Sequence, residues 1–523
     1  MTQSEIERLR FRRQYLLTTY KIECPFLNNL NVLNENTYLY THIDLNVTLE
    51  SSESRKIVLI GDMFDFEFPD YDNRNILEIL VKYDFETLIP VISRYSGRWV
   101  LIYSGEEGMV MLHDASASRK VYYYSQRKGM SCSSNPHLLA TALKIPYTSE
   151  EERLAFYYSD DAKKTFGSNI GNLTIYDGVF QLMPNHYLDL INKQVTRFWP
   201  CRRIEKSPLE QVVEKSSAII KGYMESITNR YKVMLPVTAG KDSRILLAAT
   251  KNRPSGVFYY LNKERWLNEK SQDVYIPQRL LPKLSLKHNL VDPYVEIDED
   301  FKKMYFENNR FASALFLPVI YNYYLNFSDR INLPGTFINI IEEVYEIDPE
   351  NISGGALARL HKLDHYKFVV NYYQEWYEAS RDRCIQSNIS AESLFFWEER
   401  MANWGTQLQL DKDIAQEEII PFNSMLLIEN MLKVPLNLRQ KPDYILHREI
   451  IRKLWPEALQ EPFNSNFTKT VLKMTKSLGI MKPAKAVYRS FLFDPVRYLN
   501  KLRLVHNSST AREIEKNIMS KQT

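Results

Sequence analysis

Cysteine is scarce in this chain of 523 residues: the four present, Cys24, Cys132, Cys201 and Cys384, stand far apart. No C-x-x-C pair and no His-rich cluster accompanies them, which argues against a disulfide framework or a zinc site and fits a reducing cytoplasm. Nor is there a long apolar run. The longest, FASALFLPVIYNYYL (311–325), contains Pro318 and Asn322 and stays below the roughly 18 residues a membrane span needs. The amino-terminal MTQSEIERLRFRRQYLL carries acids and an arginine cluster where a secretory leader requires a clean apolar core. Neither export nor a membrane span is expected. A large excess of one charge is missing as well, since the formal net charge is only +3, so no nucleic-acid surface extends over the whole chain. Internal repeats and low-complexity tracts are also lacking.

What is present is core. Apolar residues make up 44% and aromatics 13% of a length that exceeds what one hydrophobic core supports, so two or three domains are expected. Over residues 1–200, β-branched and aromatic runs alternate with turn signals: KIVLIGD (56–62), GRWVLIYSGEEGMVMLHD (97–114), KVYYYS (120–125) and HYLDLINKQVTRFW (186–199). These read as strands, and SGEEG between WVLIY and MVMLH suits an antiparallel hairpin. The charged, proline-containing CRRIEKSPLEQ (201–211) marks a domain boundary. From 212 the periodicity changes to amphipathic helices with intervening strands, YKVMLPV, GVFYYLN (256–262) and RINLPG (330–335), which implies a parallel α/β sheet over 201–464. The last 59 residues, 465–523, hold twelve Lys and Arg against three Asp and Glu. They read as a basic helical extension, either docked on the acidic remainder or offered to an anionic partner.

The segment VMLPVTAGKDSRILLAAT (233–250) runs a buried strand into Thr-Ala-Gly-Lys-Asp-Ser before an apolar helix begins. Such a turn presents backbone N–H groups at the positive end of a helix dipole, where phosphate binds well. Thr238, Ala239, Gly240, Lys241 and Ser243 line it. Asp242 is an anion that would repel phosphate unless a cation intervenes, which suggests magnesium. The loop is neither a Walker A sequence nor a dinucleotide fingerprint. An ordinary turn with Asp242 or Ser243 as helix cap is the plain alternative.

The loop resembles the S-G-G-x-D-S pyrophosphate loop of the asparagine synthetase family, and four further segments resemble that family in the same order. GRWVLIY…HDASASRKVYYYS and LMPNHYLDL…VTRFW are similar to its amino-terminal domain; EEIIPFNSMLLIE (417–429) and YILHREIIRKLWPEAL (444–459) are similar to later segments. The resemblance implies an α+β amino-terminal domain, an Ntn-hydrolase-like β-sandwich of the glutamine amidotransferase type. An α/β domain with a parallel sheet would follow, of the PP-loop, adenine nucleotide alpha hydrolase-like kind. It further implies an AMP-forming ligase that uses ATP and Mg2+ to adenylate a small-molecule or peptide carboxylate, then passes it to ammonia or an amine donor. Family members with this layout also make β-lactams and close lasso peptides. Thr238, Gly240 and Ser243 would cradle pyrophosphate, Asp242 would hold Mg2+, and Val257, Phe258, Tyr259 and Tyr260 would meet adenine. Lys241 fills the family's variable position, where a solvent-facing side chain is expected and a direct contact to phosphate is the alternative.

Three departures qualify this. The family's nucleophilic cysteine at position 2 is replaced by Thr2, within a sequence that reads as a solvated helix, so no glutaminase activity is expected. The acidic pair Glu342 and Glu343, candidate metal ligands, lies several residues late. The family's transition-state lysine falls on Asp443, leaving Lys441 and Arg448 as substitutes. A catalytically inactive scaffold and a tRNA-modifying ATP pyrophosphatase are the alternatives.

Overall fold

The computed structural model describes residues 1–463 apart from 107 and 128; the expected basic extension lies outside the described residues. The amino-terminal part is built on two six-stranded antiparallel sheets. Strict alternation assigns their faces. In strand Tyr15–Thr18, Tyr15 and Leu17 enter the core between the sheets while Leu16 points the other way. In strand Lys56–Phe64, Val58 and Ile60 face that same core, and Ile57 and Leu59 face helices Asn73–Leu80 and Phe85–Ile92. The two sheets therefore pack face to face, with helices outside them. The expected hairpin is present, pairing Ser96–Gly105 with Gly108–His113.

The outer face of the first sheet is covered from two places in the chain. Helix Pro136–Leu143 supplies Leu138 and Leu139, whereas helices Gly354–Leu360 and Lys367–Ser387 supply Leu357 and Tyr373 from far downstream. The two parts are interlocked.

After residues 201–208, which carry no helix or strand, helix Leu209–Arg230 leads into a four-stranded parallel sheet. Its spatial order is Asn289–Val291, Val257–Asn262, Val233–Pro236, Ile331–Asn332. Val233 and Leu235 face one core, shared with helices Leu209–Arg230, Lys241–Ala249 and Ile445–Leu454. Met234 faces another, shared with helices Glu299–Asn308 and Leu317–Asn326. Burial on both faces is why this strand reads as an unbroken apolar run. The chain leaves Val233–Pro236 in one direction across the sheet and returns on its other side as Ile331–Asn332. In open α/β sheets a reversal of this kind marks the carboxyl ends of the two strands as the place for a ligand crevice. The longest apolar run forms helix Leu317–Asn326, and among the described residues no helix is long and apolar enough to cross a membrane.

A buried charge cluster joins the two parts. Arg98 holds Asp413 through two bonds of 2.5 and 2.9 Å, and Arg119 reaches Glu417 at 2.7 Å. Asn423, in the segment that resembles the family's P-F motif, donates to Asp114 at 2.7 Å and accepts from the Ser116 amide at 2.8 Å. That segment docks onto the double sheet.

Candidate functional site

The strand Val233–Pro236 ends at the crevice and the chain turns into helix Lys241–Ala249 through residues 237–240. The turn is held by its own side chains. Ser243 Oγ accepts from the Thr238 amide at 3.2 Å, Thr238 Oγ1 accepts from the Gly240 amide at 3.0 Å, and Asp273 accepts from the Ala239 amide at 3.0 Å. Neither Asp242 nor Ser243 caps the helix: the cap position is Gly240, without a side-chain bond. Asp242 is thereby left for other work.

Lys241 corrects the expectation of a solvent-facing side chain, being only 4% exposed. Its ammonium lies 2.8 Å from Asp242 Oδ1 and 2.8 Å from Glu342 Oε1, with the Tyr444 ring centroid 4.9 Å away. Burial alone would lower its pKa, but the two carboxylates outweigh burial and hold it above the usual lysine value. Burial and the neighbouring Glu342 charge push the Asp242 carboxyl up, against the pull of Lys241. Glu342 is also penalised by burial, yet Lys241 and His447 bring it below the ordinary range. Of the coupled pair, Glu342 is the firmer anion.

Glu342 arrives on a short 3-10 turn, Ile338–Glu342, in the loop after strand Ile331–Asn332. Phe337 and Glu343 bracket that turn with φ of 84° and 48°. Such backbone costs about 1–3 kcal/mol per residue and persists only where packing enforces it. Phe337 is fully buried, edge-on to Trp397 at 5.7 Å. Gly335 of the same loop lies against the helix start, where an added Cβ would come within 3.0 Å of the Ser243 amide nitrogen. A larger residue there would press on the helix start by a few tenths of an ångström.

His447 completes the cluster from helix Ile445–Leu454, whose residues Leu446, Ile450 and Ile451 anchor it in the core. One ligand atom each from Asp242, Glu342 and His447 lie within 4.8 Å of one another. The His447 ring is 0% exposed; its Nε2 is 3.4 Å from Glu342 Oε1, and among the described residues neither ring nitrogen finds a hydrogen-bond partner.

The structure thus brings Asp242, Glu342, Thr238, Gly240, Lys241 and Ser243 together. Glu343 is not in the three-residue group; it interacts electrostatically with Arg439 and Lys206. Lys441 pairs with Glu346 at 2.8 Å, and Arg448 bonds the Asp443 carbonyl at 2.8 Å and stacks over Phe463. Val257, Phe258, Tyr259 and Tyr260 pair in register with Val233 to Pro236, and the carbonyls of Tyr259 and Tyr260 accept from Asn289 and the Val237 amide. Much of the backbone expected to meet adenine is therefore committed to the sheet. Sequence reasoning missed Asp273, Gly335 and His447. The last stands inside YILHREIIRK, and only helical phase pointed it inward.

The two carboxylates, one from a helix start and one from a 3-10 turn, suit a hard divalent cation. The turn suits phosphate less well, because the Ala239 amide already serves Asp273.

No family model matches the chain, and no curated protein does. Among solved structures it is similar to the glutamine phosphoribosylpyrophosphate (PRPP) amidotransferase from B. subtilis complexed with ADP and GMP. The identity is 11% and the TM-score 0.23, and the match covers 51% of this chain and 64% of that chain. So distant a likeness carries no argument about chemistry. The chain is a mixed α/β protein with two antiparallel sheets and one parallel sheet.

Proposed function

We propose that the protein is an ATP-dependent, AMP-forming ligase of the asparagine synthetase type. In this reading, residues 1–200 form a degenerate amidotransferase-like domain, 201–464 a PP-loop synthetase-like domain, and 465–523 an appendage. One observation carries it: Asp242, in the first turn of the helix after one parallel strand, and Glu342, on the 3-10 turn after the adjacent strand, converge at the carboxyl ends of those strands, where open α/β sheets bind their ligands. The carboxylates would hold Mg2+, which supplies charge neutralisation between the α- and β-phosphates. Thr238 and Ser243 hydroxyls would orient phosphate oxygens, and the Lys241 ammonium would counter their charge. The acceptor is free ammonia or an amine on a second substrate. Thr2 supports that choice, since its hydroxyl and amide are engaged with Glu5 in a capping box at helix Gln3–Leu9.

The test is a pyrophosphate-exchange screen over amino acids, uronic acids and peptide carboxylates. A responding carboxylate is expected, with Asp242→Ala reducing exchange at least about 100-fold while circular dichroism stays unchanged. Glutamine supplied with MgATP should release no glutamate, and Thr2→Ala should change nothing. One observation favours the scaffold reading instead: side chains satisfy the amides of Thr238, Ala239 and Gly240, leaving fewer donors for phosphate. Calorimetry that finds no MgATP binding decides for the scaffold.

A further inference from the structure

Magnesium is a poor match for the third member of the cluster. It takes oxygen ligands, whereas imidazole suits borderline metals such as Zn2+, and Mn2+, itself hard and content with carboxylates, accepts a nitrogen beside them more readily than Mg2+ does. His447 is fully buried, has no hydrogen bond on either nitrogen among the described residues, and places a ring nitrogen within 4.8 Å of oxygens of Asp242 and Glu342. Ligand atoms around a first-row divalent ion, bound at about 2.0–2.2 Å, stand up to roughly 4.4 Å apart, so small side-chain movements suffice. The same two carboxylates bind Lys241 Nζ at 2.8 Å each. Ammonium and metal compete for one place.

We propose that Asp242, Glu342 and His447 form a divalent site that prefers Mn2+ or Zn2+ to Mg2+, with Lys241 as the resident cation the metal displaces. The Tyr444 face, 4.9 Å from Nζ, gives the displaced ammonium a nearby position. Metal binding thus frees a positive charge beside the helix start. The inference rests on the proposed function only for what the metal is used for; binding rests on these four side chains.

The experiment uses the full chain and metal chlorides alone. Equilibrium dialysis is expected to show one Mn2+ per chain, bound at least about tenfold more tightly than Mg2+. Pulsed EPR of bound Mn2+ should show 14N coupling from imidazole. His447→Gln, checked by circular dichroism, should remove the coupling and weaken Mn2+ about tenfold while changing Mg2+ less than about threefold. Lys241→Met should tighten Mn2+, since the competitor is gone. Equal affinity for both metals, or bound Mn2+ without nitrogen coupling in the wild type, overturns the proposal. So does failure of both wild type and Lys241→Met to bind metal. If the glutamine variant does not fold, the wild-type nitrogen coupling decides alone. Pyrophosphate exchange is scored separately: metal binding without exchange defeats the ligase reading and leaves the metal site standing, and exchange by a wild type whose bound Mn2+ shows no nitrogen coupling does the reverse.

Discussion

Lys241 shows how one side chain sets the state of a pocket. Without its ammonium, Asp242 and Glu342 would face each other as like charges in a site where both are penalised by burial. Lys241→Met should therefore lose about 3–5 kcal/mol in the absence of divalent metal, the usual cost of breaking a buried pair. Losing the pull of Lys241 should raise the pKa of one carboxyl further, so the variant's stability should recover more steeply than the wild type's as pH falls. Denaturant melts from pH 7 to 5 read the slope. A second pH effect belongs to His42, which is 2% exposed and accepts from the Asp44 amide through Nδ1 while its Nε2 faces the Arg8 carbonyl. Burial drops its pKa to about 4. The unfolded chain binds this proton near pH 6.5 and the folded chain does not, so stability falls between pH 6.5 and 4. His42→Gln should flatten that slope by an amount on the order of 2 kcal/mol over the window. The turn at 237–240 was readable in the sequence because a buried strand runs through glycine and a hydroxyl into an apolar helix. The burial of Lys241 was not, since it depends on Glu342 a hundred residues away.

Elements were legible wherever one period dominated. Lys56–Phe64 and Ser96–Gly105 follow KIVLIGD and GRWVLIY closely, because each has a face to two cores. The third parallel strand was expected over six residues and spans only Ile331–Asn332. Pro334 and Gly335 lead the chain away from the sheet toward the turn that carries Glu342. The π-helix Phe396–Gly405 had no sequence signal at all, since its aromatic face looks like ordinary helix packing. Helix Leu209–Arg230 makes a sharper test of packing against propensity. Gly222 sits in its middle, where propensity alone predicts that alanine gains about 1 kcal/mol. A Cβ there would lie 2.0 Å from the Phe66 carbonyl oxygen, a backbone atom with little room to yield. The clash should win, and Gly222→Ala should destabilise by about 1–3 kcal/mol. At Gly335 the contact is milder, 3.0 Å, but it falls on the helix start that positions Asp242. Gly335→Ala should therefore reduce metal binding more than it reduces melting temperature.

At the scale of the whole molecule, the linear division at about residue 200 does not describe how the cores are shared. The first sheet presents Leu16, Tyr40 and Tyr122 on its outer face, and the side chains that cover them include Leu357, Leu363, Val369 and Tyr373 from the second half of the chain. Fully burying each such side chain is worth about 1.5–3 kcal/mol, so neither half keeps its core when separated. Arg98 and Arg119 add a polar lock, holding Asp413 and Glu417 at a boundary where all four are largely buried. Such a lock adds little over a well-packed apolar contact while intact, yet breaking it strands charges without solvent. Arg98→Ala leaves Asp413 with neither of its two guanidinium bonds and should cost about 3–5 kcal/mol, whereas Arg98→Met with Asp413→Leu should cost far less. If the halves fold as one unit, thermal unfolding of the wild type monitored by tryptophan fluorescence and by circular dichroism should give coincident transitions, and Arg98→Ala should lower both together. Two separated transitions, with only one moved by Arg98→Ala, would mean that the double sheet and the parallel sheet are independent domains after all.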